Sequence, residues 1–266
     1  MTRAGRIKIF IITADGLRHK FLVNRLNDFF DIAGVVCEPK RPVSYYFDKE
    51  EDAEIQRHFA ERDAAEIRYF GKYKDFAIDK DRLMTIAKGD VNRDHVFEWI
   101  GGRDPKYIVL FGSSIVREPI LSYYKDRVIN MHLGLSPYYR GGGTNFWPLV
   151  RREPECVGVT VHLAFIKVDA GPILLQARPD ADAKDGCHDL GCKTVMKGVE
   201  LLNKAIRRYD DKLIEPRLQL KKKEAYKFSD VTAEAVRKMR DNFNTGMMKE
   251  YLDNKKERDS RFPIIT

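Results

Sequence analysis

Ile7-Lys-Ile-Phe-Ile-Ile-Thr13 sets the reading of this chain. The run is short, nearly all apolar and closed by Ala14-Asp15-Gly16, the pattern of a parallel strand buried on both faces. Arg18–Phe30 follows with apolar residues at helical spacing. Ile32–Cys37 is a second apolar run, bounded by Pro39 and Pro42, neither of which fits a central strand. The alternation continues outward. Asp48–Phe70 is a charged helix with Ile55, Phe59, Ala60 and Ile67 on one side; Leu83–Ala87 reads as a short strand and Asn92–Ile100 as a helix. Tyr107–Gly112 and Val128–His132 are further buried strands, Val157–Leu163 alternates, Ile173–Ala177 is apolar, and Gly186–Tyr209 has a helical period. This predicts an α/β fold with a mostly parallel twisted sheet and helices on both faces. The short connection between Thr160–Leu163 and Leu174–Ala177 allows an antiparallel addition. A Lys-rich strand candidate, Leu218–Lys222, and one helix, Ala233–Leu252, form a short C-terminal extension. The expected division is residues 1–210 as the main domain and 211–266 as an extension packed on it or on a dimer partner.

The 266 residues are 43% apolar and 11% aromatic, ample for a packed core. The net charge of +8 is modest, and half of the excess lies in residues 211–266. It is therefore a weak argument for nucleic acid, and Lys221-Lys-Lys223 reads as a solvated tail. Four cysteines are too few for a disulfide scaffold, and no apolar run approaches the ~20 residues of a membrane helix. Met1–Arg6 runs into the first strand without an apolar leader, so a cytoplasmic protein is expected, with neither a membrane nor a nucleic acid as partner. Cys187, His188 and Cys192 lack a second ligand pair, and no metal is expected there. Asp15-Gly16 lacks the glycine fingerprint of a dinucleotide site.

Ligands of open α/β sheets bind beyond the carboxyl ends of the strands, here Thr13–Arg18, Gly112–Val116, Asn130–Gly143 and Ala164–Gly171. Asn130 and His132, two apart on one strand, leave the same face. An amide offers donors to an oxyanion, an imidazole offers acid or base chemistry near neutral pH, and a carboxylate at Asp169 could orient the imidazole.

Asn130-Met-His132, Ser136-Pro137-Tyr-Tyr-Arg140-Gly141 and Gly158-Val-Thr-Val-His162 followed by Val168-Asp169-Ala-Gly-Pro-Ile173 resemble the signature of the 10-formyltetrahydrofolate-dependent formyltransferases. That superfamily includes glycinamide ribonucleotide, methionyl-tRNA and sugar N-formyltransferases. The resemblance implies a Rossmann-like domain, N10-formyltetrahydrofolate as co-substrate, and a catalytic set of Asn130, His132 and Asp169. Protonated His132 and Asn130 would stabilise a tetrahedral oxyanion, while Asp169 keeps His132 charged. It also implies a folate pocket lined by Phe111, Gly112, Ser113, Ser114, Ile115 and Val116 and by Ala164, Phe165, Ile166, Lys167 and Val168. The alternative for Gly112-Ser113-Ser114 is an ordinary turn capping a helix near Glu118. His162 falls near the pocket, either behind it or in contact.

Departures from the family narrow the acceptor. Thr13–His19 holds one glycine and an Asp, a poor anion cradle, although Arg18 and His19 could still meet a phosphate. Residues 211–266 show no string of strands like the C-terminal barrel of methionyl-tRNA formyltransferases. The resemblance therefore points to the stand-alone sugar N-formyltransferases, which act on a nucleotide-linked aminodeoxy sugar such as those of lipopolysaccharide biosynthesis. The acceptor is expected beside Arg18, Tyr138, Tyr139, Arg140, Gly141, Gly142, Gly143, Thr144 and Asn145. A different small amine, methionyl-tRNA and a non-catalytic folate-binding role are the alternatives. The apolar face of the tail helix suggests a homodimer.

Overall fold

A computed structural model describes residues 5–40, 53–166, 169–219 and 225–266. Seven strands form one sheet: β1 (Lys8–Ala14), β2 (Asp31–Glu38), β3 (Leu83–Thr85), β4 (Tyr107–Phe111), β5 (Val128–His132), β6 (Val159–Leu163) and β7 (Ile173–Ala177). Their order is β3-β2-β1-β4-β5-β6-β7. The chain winds outward from β1 in one direction and from β4 in the other, so the topological switch point lies between β1 and β4. Pairings from β3 to β5 are parallel; β5–β6 and β6–β7 are antiparallel, so the reversal takes in one more strand pair than the hairpin expected from sequence.

The apolar runs are buried on both faces because helices cover both. Ile9 and Ile11 pack with Leu22 and Leu26 of α1 (Leu17–Asn27) and with Val199 and Leu202 of the long helix Cys187–Asp210. Phe10 and Ile12 face the other way, against Val96 and Ile100 of the helix Asp94–Gly101 and Ile120 of the short helix Ile120–Tyr123. The charged helix, α2, is described over Ala53–Phe70; the earlier part of its expected span, residues 48–52, lies outside the described residues.

The C-terminal extension differs from its sequence reading. Leu218 and Gln219 lie outside any strand, and residues 220–222 of that candidate are not among the described ones. The single expected helix is two, Ala233–Asn244 and Met247–Asp253, broken at Gly246, which takes φ +80° and ends the first helical run; a third follows at Lys255–Arg261. The apolar face of Ala233–Asn244 is not left open. Val236 and Met239 are buried in one cluster with Leu149, Val150, Val157 and Leu190 of the main body. Arg240 ties that helix to α2 through ion pairs with Glu54 (2.5 Å) and Glu61 (2.7 Å). The unpaired face that suggested a homodimer is thus covered by the chain itself.

Candidate active site

A cleft of about 610 Å³ opens at the carboxyl ends of β1, β4 and β5, within the size range of small-molecule sites. Its floor is a cluster of four side chains. Asn130 and His162 are cross-strand partners on β5 and β6, with Asn130 Nδ2 3.0 Å from His162 Nε2. Asn130 Nδ2 also donates to Asp169 Oδ1 at 3.3 Å. Asp169 sits between two imidazoles, with Oδ2 3.5 Å from His132 Nδ1 and Oδ1 3.6 Å from His162 Nε2. Asp169 also faces the backbone N–H of Gly141, which favours its charged form. Its backbone lies in the left-handed region at φ +48°, where a non-glycine residue is uncommon.

These contacts define proton positions. His162 Nδ1 is 2.8 Å from the carbonyl of Leu163, which can only accept, so that nitrogen carries the proton and Nε2 accepts from Asn130. His132 has an acceptor at each nitrogen, Asp169 at Nδ1 and the Tyr139 carbonyl 3.3 Å from Nε2. Burial nevertheless lowers the His132 pKa, and Asp169 only partly offsets it. Burial thus favours the neutral form of His132 near pH 7, with Asp169 placed to meet a second proton, where the sequence reading expected a standing cation. Burial alone would raise the Asp169 carboxyl, but the charge His132 takes on when protonated in acid, His162 and the Gly141 N–H hold it at about 2. Both Nδ2 hydrogens of Asn130 point within the cluster, so Asn130 reaches an oxyanion by exchanging one of these bonds.

One wall is built from backbone. Gly112, Ser113, Ser114, Ile115 and Val116 leave β4 along the cleft, and Ala164 and Phe165 leave β6 beside them. Gly112 has φ +68°, and a Cβ there would lie 2.4 Å from His19 Nε2, so only glycine fits. Ile115 and Phe165 line this wall while 50% and 52% exposed, apolar surface suited to a flat ring. The wall is braced by Glu38, fully buried at the end of β2. Its carboxylate accepts from Ser114 N (2.7 Å) and Gly89 N (3.0 Å) and pairs with Lys88 (3.0 Å). Burial opposes ionisation there, and those N–H groups and Lys88 overcome it, lowering the pKa. The helix after Gly112-Ser113-Ser114 starts only at Ile120, so the turn caps no helix at Glu118.

The opposite wall is built from side chains of α1, α2, the start of the Cys187–Asp210 helix and the residue Lys40 just past β2. It presents Arg18, His19, Lys40, His58, Phe59, Arg62, Cys187 and His188. Arg18 Nε (3.0 Å) and Arg62 (3.7 Å) both engage Glu66. Burial would raise Glu66, but Arg18, Lys40 and Arg62 hold it at about 2. The His58 and His188 rings lie 4.6 Å apart. Burial pushes them down to about 3 and about 4, helped by nearby arginines and, for His58, by His188, so both are neutral. Burial pushes the Cys187 and Cys192 thiols up to about 12, well away from reactivity. Among the described residues, no group of three His, Cys, Asp or Glu side chains is arranged to hold a metal ion, and no helix is long and apolar enough to cross a membrane.

The structure brings Asn130, His132 and Asp169 together as expected, with Arg18, Gly141, Gly143, Thr144 and Asn145 on the cleft. Four expected acceptor residues are turned elsewhere. Tyr138 donates to the carbonyl of Pro263 and packs edge-on against Phe262; Tyr139 is buried, its hydroxyl bonded to Glu153; Arg140 is buried; and Gly142 N donates to Tyr226 O. The amphipathic bodies of the two tyrosines find core and tail partners, which outcompete exposure in the cleft. Ile166 is 73% exposed and off the cleft, and Lys167 and Val168 lie outside the described residues. Sequence reasoning missed Glu38, Lys40, His58, Phe59 and Arg62. His58 had a signal: it shares the buried stripe of α2 with Ile55 and Phe59, an unusual place for an imidazole.

Residues 9–206 match the formyl transferase family model. The chain belongs to the formyl transferase family. It is 26% identical over 161 residues to methionyl-tRNA formyltransferase of Finegoldia magna, covering 59% of this chain and 51% of that one. The chain spans about half the length of the curated relatives it matches. Two solved structures share the fold. Phosphoribosylglycinamide formyltransferase of Anaplasma phagocytophilum has a TM-score of 0.55 at 16% identity, covering 84% of this chain and 98% of that one. An N-formyltransferase of Helicobacter canadensis, solved with folinic acid and dTDP-3-aminofucose, has 0.53 at 18% identity, covering 87% and 79%. The formyl transferase match ends near the end of the Cys187–Asp210 helix and takes in the floor and both walls of the cleft.

Proposed function

We propose that this formyl transferase family member moves a formyl group from N10-formyltetrahydrofolate to a primary amine, with Asn130, His132 and Asp169 as its catalytic residues. The observation that carries this is an ionised, largely enclosed Asp169 between two imidazoles and an amide, at the floor of a two-walled cleft. The folate supplies an electrophilic formyl carbon on a nitrogen leaving group. The backbone wall at Gly112–Val116 with Ala164 and Phe165 fits its flat ring, and the exposed apolar surfaces of Ile115 and Phe165 would cover it. As the amine forms its bond to that carbon, Asn130 donates to the oxygen that gains charge, and neutral His132 takes the proton the amine loses. Asp169 then faces the imidazolium at Nδ1. The same proton returns to the folate nitrogen as its bond to the formyl carbon breaks, so the site ends as it began.

The side-chain wall would hold the acceptor. Arg18, Lys40 and Arg62 exceed Glu66 and Asp63 by one positive charge, which favours an acceptor with a phosphate or pyrophosphate. Neutral His58 and His188 and the face of Phe59 suit an uncharged ring or hydroxyl-bearing group beside it. A nucleotide-linked aminodeoxy sugar has both parts, and the Helicobacter canadensis protein of the same fold was solved with such a compound. The methionyl-tRNA relatives favour a second reading, in which the amine belongs to an aminoacylated RNA. The test offers N10-formyltetrahydrofolate with dTDP- and UDP-linked amino sugars, glycinamide ribonucleotide and methionyl-tRNA, and reads formylated product by mass spectrometry. Product from a sugar nucleotide alone is expected; product only from the tRNA would move the acceptor to the second reading. No product from any of them would defeat the function itself.

A further inference from the structure

Asp169 stands on a loop in the left-handed region, and what holds that loop comes from the C-terminal extension, beyond residue 206 where the family match ends. Arg217 pairs with Ile173 at the start of β7 through two backbone bonds, 2.7 and 2.8 Å. Two residues on, both hydrogens of Gln219 Nε2 are used on the same loop, toward the carbonyls of Asp169 (3.0 Å) and Gly171 (2.7 Å). The extension then meets the opposite side of the carboxylate. Tyr226 N donates to Arg140 O at 2.9 Å, and Gly142 N donates to Tyr226 O at 2.7 Å, so Tyr226 brackets Gly141. Gly141 has φ +89°, and a Cβ on it would lie 2.2 Å from Tyr226 O, so the bracket needs glycine. The N–H of this bracketed Gly141 faces the Asp169 carboxylate and helps to hold its pKa down. The Tyr226 ring is fixed between two others, stacked on Tyr139 (5.7 Å, 13°) and on Trp147 (5.2 Å, 17°).

We propose that Gln219 and Tyr226 are positioning residues for the reaction: the extension grips the Asp169 loop from one side and the Gly141 loop from the other, and so sets the carboxylate against His132. Neither residue touches the cleft; both act through backbone. The inference rests on the reading of Asp169 as catalytic, and its consequence is that the extension is a working part of the site rather than an appendage. A catalytic group displaced by about 1 Å can lose up to ~10²-fold in rate, so releasing one side of the grip should cost about tenfold or more.

The test compares Gln219→Ala, Tyr226→Ala and Tyr226→Phe in the full chain by kcat, by KM for donor and acceptor, and by NMR titration of the His132 ring. The groups around that ring are Asp169, His162 and Arg140, with the Tyr139 carbonyl as acceptor; Asp169 raises its pKa most and the Tyr139 carbonyl adds to it, while burial, His162 and Arg140 lower it. Loss of kcat at unchanged KM, a lower His132 midpoint in both alanine variants, and turnover restored in Tyr226→Phe are expected. An unchanged His132 midpoint and unchanged kcat in a folded Gln219→Ala would overturn the proposal. So would equal losses of kcat and of folate-analogue affinity, which mark general disruption. If the wild type formylates no amine while the His132 midpoint still falls in the alanine variants, the grip stands and the proposed reaction fails.

Discussion

The two walls of the cleft are made of different material. The β4 wall is backbone: a glycine at positive φ, two serines and the chain beyond β6, braced from behind by the buried Glu38 carboxylate. The helix wall is side chain: guanidinium, imidazole and phenyl groups from α1, α2 and the Cys187–Asp210 helix and the Lys40 ammonium from the chain after β2, with Glu66 as their counter-ion. A backbone wall changes shape only when its supports change, whereas a side-chain wall changes with any single substitution. Within one fold, the first suits a co-substrate that stays the same and the second an acceptor that varies.

The largest effect should come from the floor that both walls share. Replacing His132 with Ala or Asp169 with Asn should reduce kcat by about 10²–10³, the usual cost of losing one group that acts on a developing charge. Steady-state rates within threefold of wild type would remove these residues from the chemistry. Next, Glu38→Gln places an amide N–H₂ against donors that now meet a carboxylate. It should weaken binding of a folate analogue about tenfold, equivalent to about 1.4 kcal/mol, and leave acceptor KM unchanged. If calorimetry shows the donor affinity intact and acceptor KM raised, the division between the walls is wrong. Lys40→Ala should do the reverse, raising acceptor KM roughly threefold to tenfold with donor affinity unchanged, and the effect should fade as salt is added.

The smallest effect concerns pH. In the proposed reaction His132 acts in its neutral form, and burial lowers its pKa below 6.5, so kcat should hold steady from pH 7.5 down to pH 6.5 and fall on the acid side of that range. Asp169, held at about 2, stays ionised throughout and adds no limb. A profile that rises on acidification would mean that the imidazolium is the working form.

Legibility from sequence followed the same division. Strands that are continuous apolar runs, such as Ile9–Ile12 and Tyr107–Phe111, could be read directly, as could the β4 wall, because its residues are consecutive. The second antiparallel pairing was hidden. Val157–Leu163 alternates like a half-exposed strand, yet every residue of β6 is buried. Its polar members are satisfied internally, Thr160 by Gly134 O and Ser136 N, His162 by Leu163 O and Asn130. The helix wall was hidden for a different reason. Lys40, His58, Arg62 and His188 come from separate segments, and nothing in their local spacing says that they converge. Tyr138 and Tyr139 erred the other way: they stand beside the motif in sequence, but their rings found partners in Phe262 and Tyr226.

The chain has two tryptophans, and their surroundings make them separable optical probes. Trp99 lies under the Arg103 guanidinium at 3.6 Å, remote from the cleft floor in the fold. Trp147 is the end chromophore of a three-ring column with Tyr226 and Tyr139, and the backbone of Tyr226 brackets the glycine beside the Asp169 carboxylate. Near-ultraviolet dichroism and Trp147 emission, isolated in a Trp99→Phe background, therefore give a label-free signal for the seating of the C-terminal extension. That signal can be followed in real time as each substrate is added.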